Sequence, residues 1–182
     1  MTDFGSFHLG SGECVLLAGR SRRAKSRLLK ETGRRDNVLL ASTRLLAPGF
    51  LTVGRYLRNS RVAGALKLMG FRRKPQTRLR ELSASERMEL AIASALARKV
   101  DALLLDNPTR DLDPENRQLL LQALRNLARQ SGMAVLFTSD DLSDALTVAH
   151  RVLALTPAGK LIESTPTTRE ETLRAAYPLL QL

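Results

Sequence analysis

Short apolar runs recur along the chain and alternate with longer segments that have helical periodicity. Each run is three to six residues long and mostly apolar, which is typical of strands covered on both faces of a parallel sheet. The predicted strands are Glu13–Ala18, Asn37–Ala41, Ala102–Leu105, Met133–Thr138, Val152–Leu155 and Leu161–Glu163. Pro157–Gly159 is predicted to form the turn between the last two strands.

The intervening segments place apolar residues on one helical face. One predicted helix starts at Ser26–Glu31, and the others are Val53–Leu68, Ser83–Arg98, Pro114–Gln130 and Leu142–Val148. Pro114 suits a first helical turn, Asp113 suits the N-cap before it and Gly132 suits the end of that helix. Strands that alternate with helices predict an α/β fold, with a mainly parallel sheet flanked by helices.

The length and composition fit one soluble domain, residues 1–182. The chain is 43% hydrophobic and 26% charged, as globular proteins are. No apolar run approaches the roughly 18 residues of a membrane span, and Met1–Gly12 lacks a signal-peptide pattern. The one cysteine, Cys14, lies inside an apolar run, so we expect a core residue and a reducing compartment, the cytoplasm.

The net charge of +11 is unevenly distributed. Up to Arg80 the chain has 18 Lys and Arg against 4 Asp and Glu, whereas the remainder has 11 against 14. A basic N-terminal part attracts phosphates, nucleic acid, anionic lipid or an acidic protein surface, and charge alone does not choose among them.

One segment has the chemistry of a phosphate-binding loop. Residues 19–26 read G-R-S-R-R-A-K-S, one residue away from G-x-x-x-x-G-K-[ST], and they lie between a predicted strand and a predicted helix. In that pattern backbone N–H groups cradle phosphates, the Lys reaches the outer phosphates and the Ser or Thr binds Mg²⁺. The candidate nucleotide-binding residues are Gly19, Arg20, Ser21, Arg22, Arg23, Ala24, Lys25 and Ser26.

A second candidate follows the strand Ala102–Leu105. It ends in Asp106, and a carboxylate at a strand end is suited to bind Mg²⁺ together with Ser26. Further motifs surround it in a fixed order: Leu82–Glu86 (L-S-A-S-E), Ala93–Arg98 (A-S-A-L-A-R), Leu103–Thr109 (L-L-L-D-N-P-T), Asp111–Asp113 (D-L-D) and Val135–Leu142 (V-L-F-T-S-D-D-L).

This series resembles the nucleotide-binding domain of ABC ATPases, over roughly Glu13–Glu163. The resemblance implies a P-loop NTPase-like fold with reduced helical and antiparallel β subdomains, residues 53–98 as the helical subdomain and residues 164–182 as a helical tail. It implies ATP and Mg²⁺ as cofactors. It also assigns a signature loop, formed by Leu82, Ser83, Ala84, Ser85 and Glu86, and a dimer loop, formed by Asp111, Leu112 and Asp113.

The sequence departs from this family at the groups that cleave ATP. The catalytic Glu corresponds to Asn107, and the switch His corresponds to Asp140. An amide cannot accept the proton of an attacking water, and a carboxylate repels a triphosphate. The glutamine of the glutamine loop has no counterpart at Ser42 or Thr43, and neither Phe4 nor Phe7 lies in a recognisable adenine-stacking motif.

Three functions remain open. The first is an ATP-binding subunit with weak or absent hydrolysis, peripheral to the inner face of the membrane. The resemblance gives it membrane-spanning transporter subunits and a second nucleotide-binding domain, in a homo- or heterodimer, as partners, with anionic lipid nearby. The alternative is a regulatory or scaffolding pseudo-ATPase whose basic N-terminal part contacts nucleic acid. A working ATPase with an unconventional base is a third reading.

Overall fold

The computed structural model describes residues 2–3, 7–41, 51–98, 100–110, 112–139 and 146–164. Its strands are β1 (Thr2–Asp3), β2 (His8–Leu9), β3 (Cys14–Ala18), β4 (Val38–Ala41), β5 (Ala102–Leu105), β6 (Ala134–Phe137), β7 (Arg151–Leu155) and β8 (Leu161–Glu163). Its helices are α1 (Arg22–Thr32), α2 (Gly54–Leu57), α3 (Ser60–Leu68), α4 (Ala84–Leu96) and α5 (Pro114–Ser131), with a 3₁₀ turn at Leu79–Glu81.

Six strands form one sheet in the order β4–β5–β6–β3–β7–β8. All neighbouring pairs are parallel except β7–β8, which is an antiparallel hairpin. β1 and β2 form a separate two-stranded antiparallel sheet. The predicted α/β fold with a mainly parallel sheet is therefore confirmed.

Both faces of the sheet are buried. On one face Val15 and Leu17 of β3 pack in a cluster with Leu29 of α1. On the other face Leu16 and Leu103 share a larger cluster with residues of α3, α4 and α5. Since alternate side chains of a strand point to opposite faces, this two-sided burial explains why the strands are apolar throughout. Cys14 is fully buried, as predicted, and burial raises the pKa of its thiol to about 12.

The helix starts follow from local side-chain chemistry. Ser83 caps α4 by accepting a hydrogen bond from Glu86 N, and the Glu86 carboxylate accepts one from Ser83 N. Asp113 caps α5 by accepting from the N–H of Asn116, and Gly132 ends that helix at φ 70°, as the sequence predicts.

Two helix predictions are wrong in their bounds. The helix predicted for Val53–Leu68 is two helices, because the Asn59 side chain accepts hydrogen bonds from the N–H groups of the next turn and starts α3 anew. The first helix begins at Arg22 instead of Ser26, inside the predicted phosphate loop.

Some predictions fall outside the described residues. These include Phe4, the turn at 47–49, the positions 42 and 43, residues 142–145 of the last predicted helix and the tail beyond residue 164. Residues 146–148 are helical. Within the described ranges, no helix combines the length and the apolar character that a membrane crossing requires.

Candidate functional site

The candidate site lies where three adjacent parallel strands end. β3, β5 and β6 are neighbours, and Leu105 at the end of β5 is in register with Phe137 at the end of β6. The next residues, Asp106 and Thr138, are therefore side by side, while β3 leads into residues 19–26 at the same edge. The carboxyl ends of parallel strands are where α/β proteins bind ligands.

The Asp106 carboxylate is held through both oxygens. Ser26 Oγ donates to Asp106 Oδ2 over 2.5 Å, and Thr138 Oγ1 donates to Asp106 Oδ1 over 3.1 Å. The Thr138 hydroxyl also accepts from Asn107 N at 2.8 Å. The sequence-predicted metal ligands Ser26 and Asp106 are thus brought together. A hydroxyl beside a carboxylate at a strand end is a donor set that fits Mg²⁺ bound to phosphates.

Thr138 is a site residue that the sequence patterns do not single out. It follows β6 directly, as Asp106 follows β5, so its position at the same sheet edge was the available clue. Its hydroxyl orients Asp106 and satisfies the backbone of residue 107, which makes it a positioning residue.

The predicted phosphate loop is partly wound into α1. Residues 19–21 alone connect β3 to α1, since the helix begins at Arg22. Ser21 is the N-cap: its Oγ accepts from Ala24 N at 3.2 Å, and its carbonyl oxygen accepts from Lys25 N at 3.0 Å. Two N–H groups of the predicted phosphate cradle are therefore engaged within the helix turn. Ala24, where the loop pattern has glycine, and Arg22 both favour this helical conformation.

Gly19 has a structural reason to be glycine. Its φ is 152°, and a Cβ at this position would lie 2.8 Å from the carbonyl oxygen of Leu155 on β7. A side chain would therefore displace one of the two strands. Gly19 allows β3 and β7 to approach closely where the loop begins.

Lys25 and Ser26 lie in the second turn of α1, on the side that faces the sheet. The Lys25 side chain is buried, with 5% of its surface exposed, whereas Arg22 and Arg23 are exposed. Lys25 directly precedes Ser26, the partner of Asp106, in the helix that begins at the carboxyl edge of the sheet. That placement suits binding of an anionic phosphate chain.

Asn107 is buried, with 6% of its surface exposed, and has a φ of 49°. Asn adopts the left-handed region more readily than most residues, so the local backbone accommodates it with little strain. Its carboxamide has no basic oxygen, so this position holds no general base for an attacking water.

The predicted signature loop surrounds the start of α4. Leu82 and Ser85 are buried, while Ser83 is exposed and its hydroxyl caps the helix. Burial raises the pKa of Glu86, but hydrogen bonds from Arg73 and from the Ser83 backbone lower it by more, so the pKa lies below its ordinary value. A cleft of about 570 Å³ separates this helix start from α5.

Other predicted residues are placed away from the site or outside the described ranges. Asp111 and Asp140 are not among the described residues; Leu112 is partly buried, and Asp113 is exposed as the N-cap of α5. Phe7 is buried in the core with 4% exposure, so it does not present an adenine-stacking face.

His150 lies at the opposite edge of the sheet from Asp106. Its Nδ1 accepts from Cys14 N at 3.0 Å, and its own N–H donates to the Cys14 carbonyl at 2.8 Å, where β3 and β7 begin. His150 therefore joins the amino ends of two strands and does not substitute for a switch histidine.

At this edge parallel strands are followed by a loop that caps a helix, and the edge holds a buried lysine and a serine–aspartate pair. Together these features define a P-loop NTPase. The family model described as ABC transporter matches residues 30–110. An aliphatic sulfonates import ATP-binding protein, SsuB 2 of Mesorhizobium japonicum, is 32% identical over 171 residues, which cover 82% of this chain and 69% of the relative. The chain belongs to the family of ABC transporter ATP-binding subunits.

Two further comparisons give the extent of the likeness. The phosphate import ATP-binding protein PstB 2 of Natronomonas pharaonis is 37% identical over 112 residues, 62% of this chain but 39% of the relative. The chain thus spans about two fifths of the length of that relative. A solved structure of an inward-facing, metal-chelate type ABC transporter superposes with a TM-score of 0.76 and 23% identity, over 95% of this chain and 80% of that chain. That likeness shows the fold.

Proposed function

We propose that this chain is the ATP-binding subunit of an ABC transporter-like membrane complex and that it hydrolyses ATP weakly or not at all. The observation that carries the proposal is the contrast between two adjacent residues. Asp106 is joined to Ser26 and Thr138 in the arrangement that suits a metal ion, whereas the next residue, where the family has its catalytic Glu, is Asn107.

The binding half of the site is supported by the groups that remain. Ser26 and Asp106 would hold Mg²⁺, and Lys25 would neutralise the outer phosphates of ATP. When bound, the Mg²⁺ ion offsets the charge of the phosphate chain. Thr138 keeps the Asp106 carboxylate turned toward Ser26, and the start of α1 directs its remaining N–H dipoles to the same edge.

The cleaving half is weakened by two exchanges. Asn107 can donate a hydrogen bond to a water but cannot remove its proton, and loss of a general base costs about 10²–10⁴ in rate. The second exchange, Asp140 in place of the switch His, puts a negative charge where the family contacts the terminal phosphate. The exchange at Asn107 reduces turnover more than it reduces binding, whereas the negative charge of Asp140 opposes both.

The proposed partners are membrane-spanning subunits and a second nucleotide-binding domain. The relatives' names describe import ATP-binding proteins and an energy-coupling factor ATP-binding protein. A chain that hydrolyses ATP poorly gains most from a partner whose own site hydrolyses ATP. We therefore favour a heterodimer in which this chain supplies a nucleotide-binding site. We also favour a position of this heterodimer against the membrane-spanning subunits.

The test is binding and hydrolysis measured on the same purified chain. We expect Mg²⁺-dependent binding of a fluorescent ATP analogue, lost in Lys25→Ala, together with phosphate release at background. The double reversion Asn107→Glu/Asp140→His should raise release above wild type, and the same reversion in a Lys25→Ala background serves as its control.

Two results would overturn the proposal. Steady hydrolysis by the wild-type chain, sensitive to Lys25→Ala, would make it a working ATPase with an unconventional base. Absence of any nucleotide binding, both alone and when the chain is reconstituted with candidate membrane partners, would remove the ATP-binding role itself.

A further inference from the structure

The outer surface of α1 and of the turn that follows it carries a row of basic residues. Arg23, Arg27, Lys30 and Arg34 are all exposed and follow one another at spacings of four, three and four residues. Residues at these spacings share a helix face, about 5–6 Å apart. We name these four residues the basic strip.

The strip borders a groove of about 500 Å³ lined by residues 22–34 alone. Five of its seven lining residues are basic, and the one acid, Glu31, is paired with Arg27 at 2.8 Å. α1 is the helix that packs over its face of the sheet, with Leu29 inward, so this basic surface faces away from the core. Nothing in the predicted nucleotide chemistry requires charge at residues 27, 30 and 34, which lie beyond the loop.

We propose that the basic strip binds the phosphate backbone of duplex nucleic acid without reading its sequence. From Arg23 to Lys30 the strip extends about 10 Å along α1, which matches about three phosphates of one strand, and Arg34 continues it in the turn after the helix. Three of its four cations are Arg, whose planar fork binds phosphate oxygens in pairs.

The composition of this surface favours nucleic acid over a membrane. A helix that lies on a membrane combines its basic residues with large apolar residues that insert among the lipids. Among the described residues the exposed large apolar side chain is Leu119, which belongs to α5 on the other face of the sheet. The strip therefore offers positive charge without an apolar side chain that could insert among lipids. The phosphate backbone of nucleic acid complements this charge.

The same composition argues against base-specific recognition. α1 contains no aromatic residue to stack on a base and no Asn or Gln to pair with an adenine edge. Contacts to phosphate alone predict binding that is independent of sequence and steeply dependent on salt.

The experiment measures fluorescence anisotropy of a labelled random-sequence DNA duplex titrated with the full chain at several NaCl concentrations. The test variant is Arg27→Gln/Lys30→Gln/Arg34→Gln. A matched control, Arg72→Gln/Lys74→Gln/Arg80→Gln, removes the same charge from another exposed basic region. All six positions lie outside residues 19–26, so the nucleotide site is intact and failure of this inference is separate from failure of the proposed function.

We expect the test variant to bind at least tenfold more weakly and its salt dependence, log K against log salt, to be shallower by about 2.7, since each lost phosphate contact removes about 0.9. The control should retain most of the affinity and slope. Should the triple variant melt early, Arg34→Gln alone is expected to lower the slope by about 0.9. Arg27→Lys/Arg34→Lys, which keeps the charge, should retain the slope with a few-fold loss of affinity.

Three outcomes would overturn the inference. Wild-type chain could fail to bind the duplex at low salt. The two triple variants could weaken binding equally, which would assign it to overall charge. The strip could instead bind vesicles containing anionic phosphatidylglycerol while duplex binding is unaffected by its removal, which would assign it to a lipid surface.

Discussion

The first turn of α1 is the most informative place to perturb this chain, because it decides whether the predicted phosphate loop is open. In the structure Ala24 N and Lys25 N donate to Ser21, so those donors are already engaged. The variant Arg22→Gly/Ala24→Gly places glycine at both positions of this turn. We expect it to bind Mg²⁺–ATP more tightly than wild type.

The size of the effect follows from helix propensity. Each glycine disfavours the helical turn by about 0.5–1 kcal/mol relative to a good helix former. Two of them shift the equilibrium toward an open loop by about 1–2 kcal/mol, a factor of roughly 5–30. Apparent affinity is limited by the population of the competent state, so Kd should fall by up to that factor. Ala24→Gly alone, which retains the Arg22 charge, should lower Kd by about two- to fivefold.

The assay is a fluorescent-nucleotide titration with thermal melts of the same samples. Arg27→Gly/Lys30→Gly is the matched control, because it puts two glycines at exposed positions in the middle of the same helix. It should lower Tm at least as much without changing Kd. If the loop variant loses Tm but binds no more tightly, the wound turn does not limit nucleotide binding and the reasoning is wrong.

Three other substitutions probe the site and the helix ends. Thr138→Val should lower unfolding stability by about 1–3 kcal/mol in denaturant melts and weaken Mg²⁺-dependent nucleotide binding, because a buried N–H loses its acceptor and Asp106 loses its orientation. Glu89 has a pKa raised by burial, partly offset by a hydrogen bond from a serine, so its ionised form is disfavoured in the folded chain. Glu89→Gln should therefore raise Tm at neutral pH. The two proteins should have the same Tm once the pH is low enough for the Glu89 carboxyl group to be protonated in both the folded and the unfolded chain. The pKa of Asp113 shifts in the opposite direction, because hydrogen bonds from Asn116 lower it. Asp113→Ala should therefore lower Tm at neutral pH. This loss of Tm should shrink as the pH falls through the lowered pKa. An unchanged Tm difference across pH would contradict either assignment.

The sheet could be predicted from the sequence because its strands are buried on both faces. Runs such as Ala102–Leu105 and Leu161–Glu163 have the observed bounds, and the others differ by one residue at one or both ends. Helix α5 was predictable from its start and its end because Asp113, Pro114 and Gly132 each fix a local conformation. In these segments local chemistry and tertiary burial favour the same structure.

The start of α1 could not be predicted, because two local tendencies compete there. The motif spacing in residues 19–26 indicates a loop, while Arg22 and Ala24 favour a helix and Ser21 favours a cap. The tertiary structure resolves this competition, and the helix forms. Thr138 was missed for a different reason, since its role depends on the register between β5 and β6, which pairs residues 32 apart along the chain.

Asn107 connects the stability of this site with its proposed loss of catalysis. At a φ of 49° most L-residues are strained by about 1–2 kcal/mol, whereas Asn is comparatively well tolerated there. The position is also buried, so a glutamate would carry a charge into a place that an amide occupies without one. The amide therefore lowers both backbone strain and desolvation while removing the base. It follows that the reversion Asn107→Glu should gain hydrolysis and lose stability together. A gain in rate with unchanged Tm would show that neither the backbone conformation nor burial favours the amide at this position.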